Sequence, residues 1–174
     1  MTAQPQIQKL HHFAYRCRDA EETRAFYEDL LGLPLCHVVS DDVVGSTGET
    51  CSFVHLFFRL ADGSSIAFFD LGDGKASTPD PNTPAWCNHI AFEVPSMSVL
   101  KDYKKKLEAA GVEVRGITDH DFVQSIYFFD PNGVRLELNV RSHTDSYMVE
   151  AERHAHDELA KWTAKRRQRQ AAAE

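Results

Sequence analysis

The chain has 174 residues, of which 43% are hydrophobic and 26% charged. That is enough chain, with an ordinary globular composition, to bury a core without disulfide staples. A formal net charge of -7 argues against a general nucleic-acid binder, and no stretch approaches the ~20 apolar residues of a membrane span.

Residues 9–17 alternate and are rich in aromatic side chains, which predicts a strand. Asp19, with Glu22 three positions on, has the pattern of a capping box. Residues 20–31 then carry Phe26, Leu30 and Leu31 at helical spacing, up to a stop at Gly32. Three strands are expected next, over 35–40, 52–60 and 64–71, with turns at Gly45, Gly48 and Asp62-Gly63. Residues 72–85 hold Gly72, Gly74, Pro79, Pro81 and Pro84 with almost nothing apolar, and read as a linker. The order then repeats. A strand over 86–94 leads to a helix over 97–110 with Leu100, Tyr103, Leu107 and Ala110 on one face, stopped by Gly111. Strands over 112–117, 122–129 and 134–140 follow, the last two joined by the turn Asp130-Pro131-Asn132-Gly133.

The order β-α-β-β-β, linker, β-α-β-β-β is an internal repeat whose halves cannot each bury a sheet alone. The expected fold class is α+β. Two βαβββ modules, 9–71 and 86–140, would form a curved mixed sheet around a concave metal site within a domain of residues 1–141. A helical tail over 142–174 follows, with His154, Glu158 and Trp162 at helical spacing and a basic end made by Lys161, Lys165, Arg166, Arg167 and Arg169. A solvated helix is expected there. Cys17, Cys36, Cys51 and Cys87 are widely spaced, without a CxxC pair, and Met1-Thr2-Ala3-Gln4-Pro5 has no apolar run. Buried free thiols in a reducing, cytoplasmic setting are expected.

The two halves open alike, one on His12-Phe13-Ala14-Tyr15 and the other on His89-Ile90-Ala91-Phe92. The last strand carries Glu137 between Leu136 and Leu138. A carboxylate buried there needs a partner, because an unpaired buried charge is costly, and a dication supplies one. Two histidines and one carboxylate on three strands are the usual ligand set of non-haem Fe(II) oxygenases, since they leave positions open for substrate and oxygen. Strand alternation puts Glu137 on one face with Arg135 and Asn139, and Tyr127 on one face with Phe129. His11 is expected opposite His12, in a structural role. His55 is read as a half-buried polar group or, facing a cavity, as a base. Cys17, Cys87, Trp86 and Phe92 are expected in the core, and His143, His154 and His156 in solvent.

Over residues 9–140 the chain resembles the vicinal oxygen chelate superfamily of glyoxalases, fosfomycin and bleomycin resistance proteins, and extradiol ring-cleaving dioxygenases. The βαβββ repeat and the His/His/Glu spacing carry the likeness. A more specific stretch is Thr118-Asp119-His120, then five residues, then Ile126-Tyr127-Phe128-Phe129-Asp130-Pro131-Asn132-Gly133-Val134-Arg135-Leu136-Glu137. It is similar to the signature of type I extradiol dioxygenases. The resemblance implies His12, His89 and Glu137 as ligands of Fe(II), with Mn, Zn or Ni as the alternative ion. It implies Tyr127 as a hydrogen-bond partner of the substrate oxygen near the metal, and His120 as a contact on the far side of the substrate or bound intermediate. It further implies a small catecholic substrate, dioxygen and a homodimer. Phe68-Phe69-Asp70 stands where these dioxygenases have Phe-Phe-His. Asp70 is therefore expected as the replacement acid/base, or as a fourth metal ligand of the glyoxalase kind. The alternatives to a dioxygenase are a redox-neutral glyoxalase-like isomerase, lyase or transferase, and a resistance protein that sequesters its ligand.

Overall fold

The computed structural model describes residues 6–77 and 79–172. The first module runs β1 (His12–Cys17), α1 (Ala20–Arg24), a wider helical turn over Ala25–Leu30, β2 (Leu35–Val43), β3 (Thr50–Arg59) and β4 (Ser65–Asp70). The second runs β5 (Ile90–Glu93), α2 (Met97–Ala109), β6 (Arg115–Asp119), β7 (Val123–Phe129) and β8 (Arg135–Arg141). A long helix, α3 (Asp145–Ala171), closes the described chain.

The two modules form separate four-stranded sheets with the same order, β1-β4-β3-β2 and β5-β8-β7-β6. In each, the first and last strands pair parallel and the rest antiparallel. The helix after the first strand supplies the crossover that a parallel neighbour needs. The sequence repeat is thus a structural repeat.

Local chemistry explains most boundaries. The Asp19 carboxylate accepts the Glu22 N–H at 2.7 Å and starts α1. Glu22 does not complete the capping box, because its own carboxylate takes Arg18 Nε at 2.6 Å. The helix expected over 20–31 widens after Arg24, where Leu31 N–H reaches back five residues to the Phe26 carbonyl at 3.0 Å. The strand expected over 86–94 begins only at Ile90. Pro84 opens a turn in which Cys87 N–H bonds the Pro84 carbonyl at 2.8 Å. That turn leaves Trp86 67% exposed and Cys87 exposed, against the expected burial of both. Cys17 and Phe92 are buried as expected, whereas Cys36, on β2, is exposed and Cys51 only half-buried.

Each sheet turns one face inward. Leu56, Phe58, Ile66 and Phe68 from the first meet Ile126, Phe128, Leu136 and Leu138 from the second, with Phe26, Tyr27, Leu100 and Leu107 from the helical segments between. Polar ties cross the same core. Tyr27 donates its hydroxyl to Asp130 at 2.9 Å, Asn132 Nδ2 donates to Thr23 Oγ1 at 3.1 Å, and the Tyr103 hydroxyl donates to the Leu31 carbonyl at 2.9 Å. Burial pushes the Asp130 carboxyl above the ordinary carboxylate range, opposed by the N–H of Val134, the Tyr27 hydroxyl and Asn132. α3 buries none of its 27 residues. Among the described residues no helix is long and apolar enough to cross a membrane.

Candidate metal centre

Because one face of each sheet is spent on the core, the site chemistry sits on the opposite faces. In the second sheet Tyr127 pairs across from Glu137 and Ser125 across from Asn139. Alternation keeps Ser125, Tyr127, Arg135, Glu137 and Asn139 on that outer face. β5 brings His89 in beside them, since Ala91 pairs with Glu137. Glu137 has a side chain only 7% exposed, and its Oε2 lies 3.1 Å from His89 Nε2. Its other oxygen accepts the Ser125 hydroxyl at 2.7 Å and Asn139 Nδ2 at 3.2 Å. Gly116 makes room for this strand: at φ +105°, an added Cβ there would meet the Ser125 carbonyl at 2.5 Å.

The tautomer of His89 matters. Its Nδ1 lies 3.2 Å from the Cys87 carbonyl, which only accepts, so Nδ1 carries the proton. In the neutral ring Nε2 then points a lone pair at a carboxylate oxygen. Two such acceptors repel unless a proton on Nε2 or a metal cation lies between them. Two ligands about 2.1 Å from one metal ion, at roughly a right angle, stand about 3 Å apart. The pair fits a divalent ion.

Tyr127 sits next to this pair, its ring 6.2 Å from that of His89 and nearly perpendicular at 84°. Its hydroxyl is 2.8 Å from His120 Nε2. Burial raises the phenol's pKa, and the Glu137 carboxylate raises it further against an opposing Ser125 bond, so Tyr127 stays protonated at neutral pH.

His12 lies on the outer face of the first sheet, 6.0 Å from the His55 ring and 5.2 Å from Phe57. His55 is buried. It bonds the Phe68 carbonyl through Nδ1 at 3.0 Å and stacks on Phe69 at 3.6 Å and 5°. Burial lowers its pKa, so the ring is neutral and Nε2 keeps its lone pair. His11 was expected on the opposite face, yet its Nδ1 lies 2.8 Å from that of His12. β1 begins only at His12, and alternation does not govern the residue before a strand.

Asp70 is engaged by backbone amides. Its Oδ2 accepts the Ala20 N–H at 2.8 Å and its Oδ1 the Gly72 N–H at 2.7 Å. Position i+2 from Phe68 puts it on the inward face, where the unpaired amides at the start of α1 wait for an acceptor. Both Asp70 oxygens are thus occupied by backbone amides, and among the described residues Asp70 joins no ligand cluster with His12 or His89. The structure does bring His89, Glu137, Tyr127 and His120 together. Among the described residues no three His, Cys, Asp or Glu side chains gather around one ion position. His12 stays on the other sheet. Ser125 was not singled out from the sequence, although its two-residue offset from Tyr127 put it on the same face.

Residues 9–138 match the model of the glyoxalase/bleomycin resistance protein/dioxygenase superfamily. An uncharacterized protein of Bacillus subtilis (strain 168), YwkD, is 28% identical over 134 residues, covering 76% of this chain and 96% of that one. The biphenyl-2,3-diol 1,2-dioxygenase 3 of Rhodococcus globerulus is 27% identical over 142 residues, covering 80% and 65%. The crystal structure of the fosfomycin resistance protein FosX from Listeria monocytogenes, with Mn(II) and sulfate, superposes with a TM-score of 0.58. It is 24% identical and covers 83% of this chain and 99% of that one, a likeness of fold. With its repeat, its two matching sheets and this match, the chain belongs to the glyoxalase/bleomycin resistance protein/dioxygenase, or vicinal oxygen chelate, superfamily.

Proposed function

We propose that this protein is a divalent-metal-dependent enzyme that grips a small molecule through two neighbouring oxygens, and that with Fe(II) it cleaves a catecholic ring in the extradiol manner. The observation that carries this reading is the His89–Glu137 pair at 3.1 Å, with the Tyr127–His120 pair at 2.8 Å beside it. The identity to the Rhodococcus diol dioxygenase supports the same chemistry. His89 and Glu137 of one copy, with His12 of a second copy, would hold the ion. Among the described residues no third ligand side chain joins His89 and Glu137, and a two-fold pairing that sets one outer face against the other completes two sites at once. An ion bound there lowers the pKa of substrate hydroxyls and leaves positions for substrate and dioxygen.

The chain's own residues do the rest. Ser125 and Asn139 hold the Glu137 carboxylate in place. Tyr127 keeps its proton and offers it to a substrate oxygen. His120, bonded to Tyr127, faces the far side of the substrate. His55, neutral and on the same face as His12, takes the base role that Asp70 does not fill. Fe(II) and unpaired thiols at all four cysteines both suit a reducing compartment.

A second reading has an observation of its own. Asp70 replaces the histidine of ring-cleaving enzymes and is committed to α1, which favours a redox-neutral, glyoxalase-like reaction with the metal as Lewis acid. Metal analysis of anaerobically purified protein, then oxygen uptake with a catechol panel after Fe(II) loading, separates the two. Stoichiometric iron and catechol-dependent uptake, both lost in His89→Ala, are expected. Bound metal without oxygen uptake moves the case to the redox-neutral reaction. Absence of metal binding, with ligand affinity that survives His12→Ala, leaves a sequestering protein.

A further inference from the structure

Arg135 opens β8 on the same outer face as Glu137, two residues before it. Its neighbours in charge are matched: Arg115 pairs with Glu113 at 3.3 Å and Arg141 with Glu93 at 2.9 Å. Arg135 has no carboxylate against it among the described residues. Its Nη1 donates to the Trp86 carbonyl at 2.6 Å, and its guanidinium carbon lies 4.3 Å from the centre of the Tyr127 ring. These two contacts fix the direction of the fork and leave most of its five N–H donors unused.

Two cavities meet at this side chain. One, of about 300 Å³, is lined by Tyr15, Pro84, His89, Phe129, Val134 and Arg135. The other, of about 230 Å³, is lined by Trp86, Tyr127, Phe129 and Arg135 among others. The first reaches His89, so one small molecule can lie between the metal pair and the guanidinium. Both cavities are at or below the small end of ligand pockets, which suits a single ring. The smaller one has aromatic walls from Trp86, Tyr127 and Phe129, which suits a flat body, while the larger mixes apolar residues with polar ones such as Asn88 and Thr83.

We propose that Arg135 is a specificity-determining residue that binds the carboxylate of a monocyclic substrate whose oxygen pair lies at His89 and Glu137. This rests on the metal-site reading above. A monoanion fits better than a dianion: Arg115 also lines the smaller cavity but is paired with Glu113, so Arg135 brings the unmatched positive charge, and the larger cavity carries the Asp80 carboxylate. A fork held by a carbonyl and a ring face is pre-organised for two parallel N–H···O bonds, the strongest form of carboxylate recognition.

The test is isothermal titration calorimetry of 3,4-dihydroxybenzoate and its methyl ester into metal-free and Zn(II)-loaded protein, Zn(II) being redox-inert. The acid is expected to bind about ten- to a hundredfold more tightly than the ester in wild type, with the ratio near one in Arg135→Met and intermediate in Arg135→Lys. Equal affinities of acid and ester in wild type, or no measurable binding of the acid, overturn the proposal without reference to any variant, so misfolding of Arg135→Met cannot rescue it. An unchanged ratio in Arg135→Lys and Arg135→Met also overturns it. Failure of the metal reading looks different: Zn(II) then tightens neither ligand, while the acid-to-ester ratio in the metal-free protein still reports on Arg135. Tighter binding of phenylphosphonate than of benzoate would reject a carboxylate site in favour of a dianion site.

Discussion

Two inactive variants should repair each other if His12 comes from a second copy. Take His12→Ala and Glu137→Ala. Each homodimer lacks one ligand in both of its sites. In the mixed dimer, His12 of the Glu137→Ala copy meets His89 and Glu137 of the His12→Ala copy, and one site is whole; the other site lacks both ligands. Random reassortment makes about half of all dimers mixed, with one of two sites intact, so about one quarter of wild-type metal content and turnover should return in the unfractionated mixture and about one half in the purified mixed species. His89 and Glu137 lie together on the second sheet, while His12 lies with His55 and Phe57 on the first. The assay is co-expression with two affinity tags, sequential purification of the mixed species, and metal analysis per chain beside each parent. A mixed species that holds no more metal than its parents would refute the trans-completed site.

Asp70→Ala should cost about 1 kcal/mol or somewhat more in denaturant unfolding, because the Ala20 and Gly72 amides lose their acceptor, and it should leave metal content at the wild-type level. Loss of metal in that variant would make Asp70 a ligand after all. Asp130 has a raised folded pKa. Its contribution is therefore fully present below about pH 3.9, the unfolded value, and is lost as pH rises through the raised folded value. Urea melts of Asp130→Asn should show a stability–pH slope more positive than wild type from about pH 4 upward; parallel curves would contradict the shift. Burial pushes the Cys17 thiol up to about 11, opposed by a bond to Thr23. In native protein at neutral pH a thiol reagent should modify Cys36, Cys51 and Cys87 and spare Cys17 until the fold opens, and fast labelling of Cys17 would count against the packing around it.

Strand alternation and turn chemistry made much of this protein legible. The turn Asp130–Gly133 announced the hairpin in which the structure sets Tyr127 opposite Glu137, and the matching His12 and His89 openings announced the repeat. Alternation also put Arg135 and Asn139 beside Glu137 before any coordinates. It failed at positions outside regular strands. His11 precedes β1 and swings to its neighbour, and Trp86 falls in the Pro84 turn and not in a strand. Asp70 is ambiguous for a different reason: a carboxylate at a strand end serves a metal or a helix start equally well, and here both of its oxygens accept backbone amides, one of them at the start of α1.

By itself, then, the sequence determined the two modules, the residue types of the site and which of them share a strand face, because periods of 2 and 3.6 are local properties of the backbone. The tertiary structure decided which faces meet. Both sheets turn their Phe- and Leu-rich faces into one core tied by Tyr27 and Asp130, and this leaves His12 on one outer face and His89 with Glu137 on the other. Which apolar faces pack together depends on contacts between residues far apart in the chain, and no local period records those.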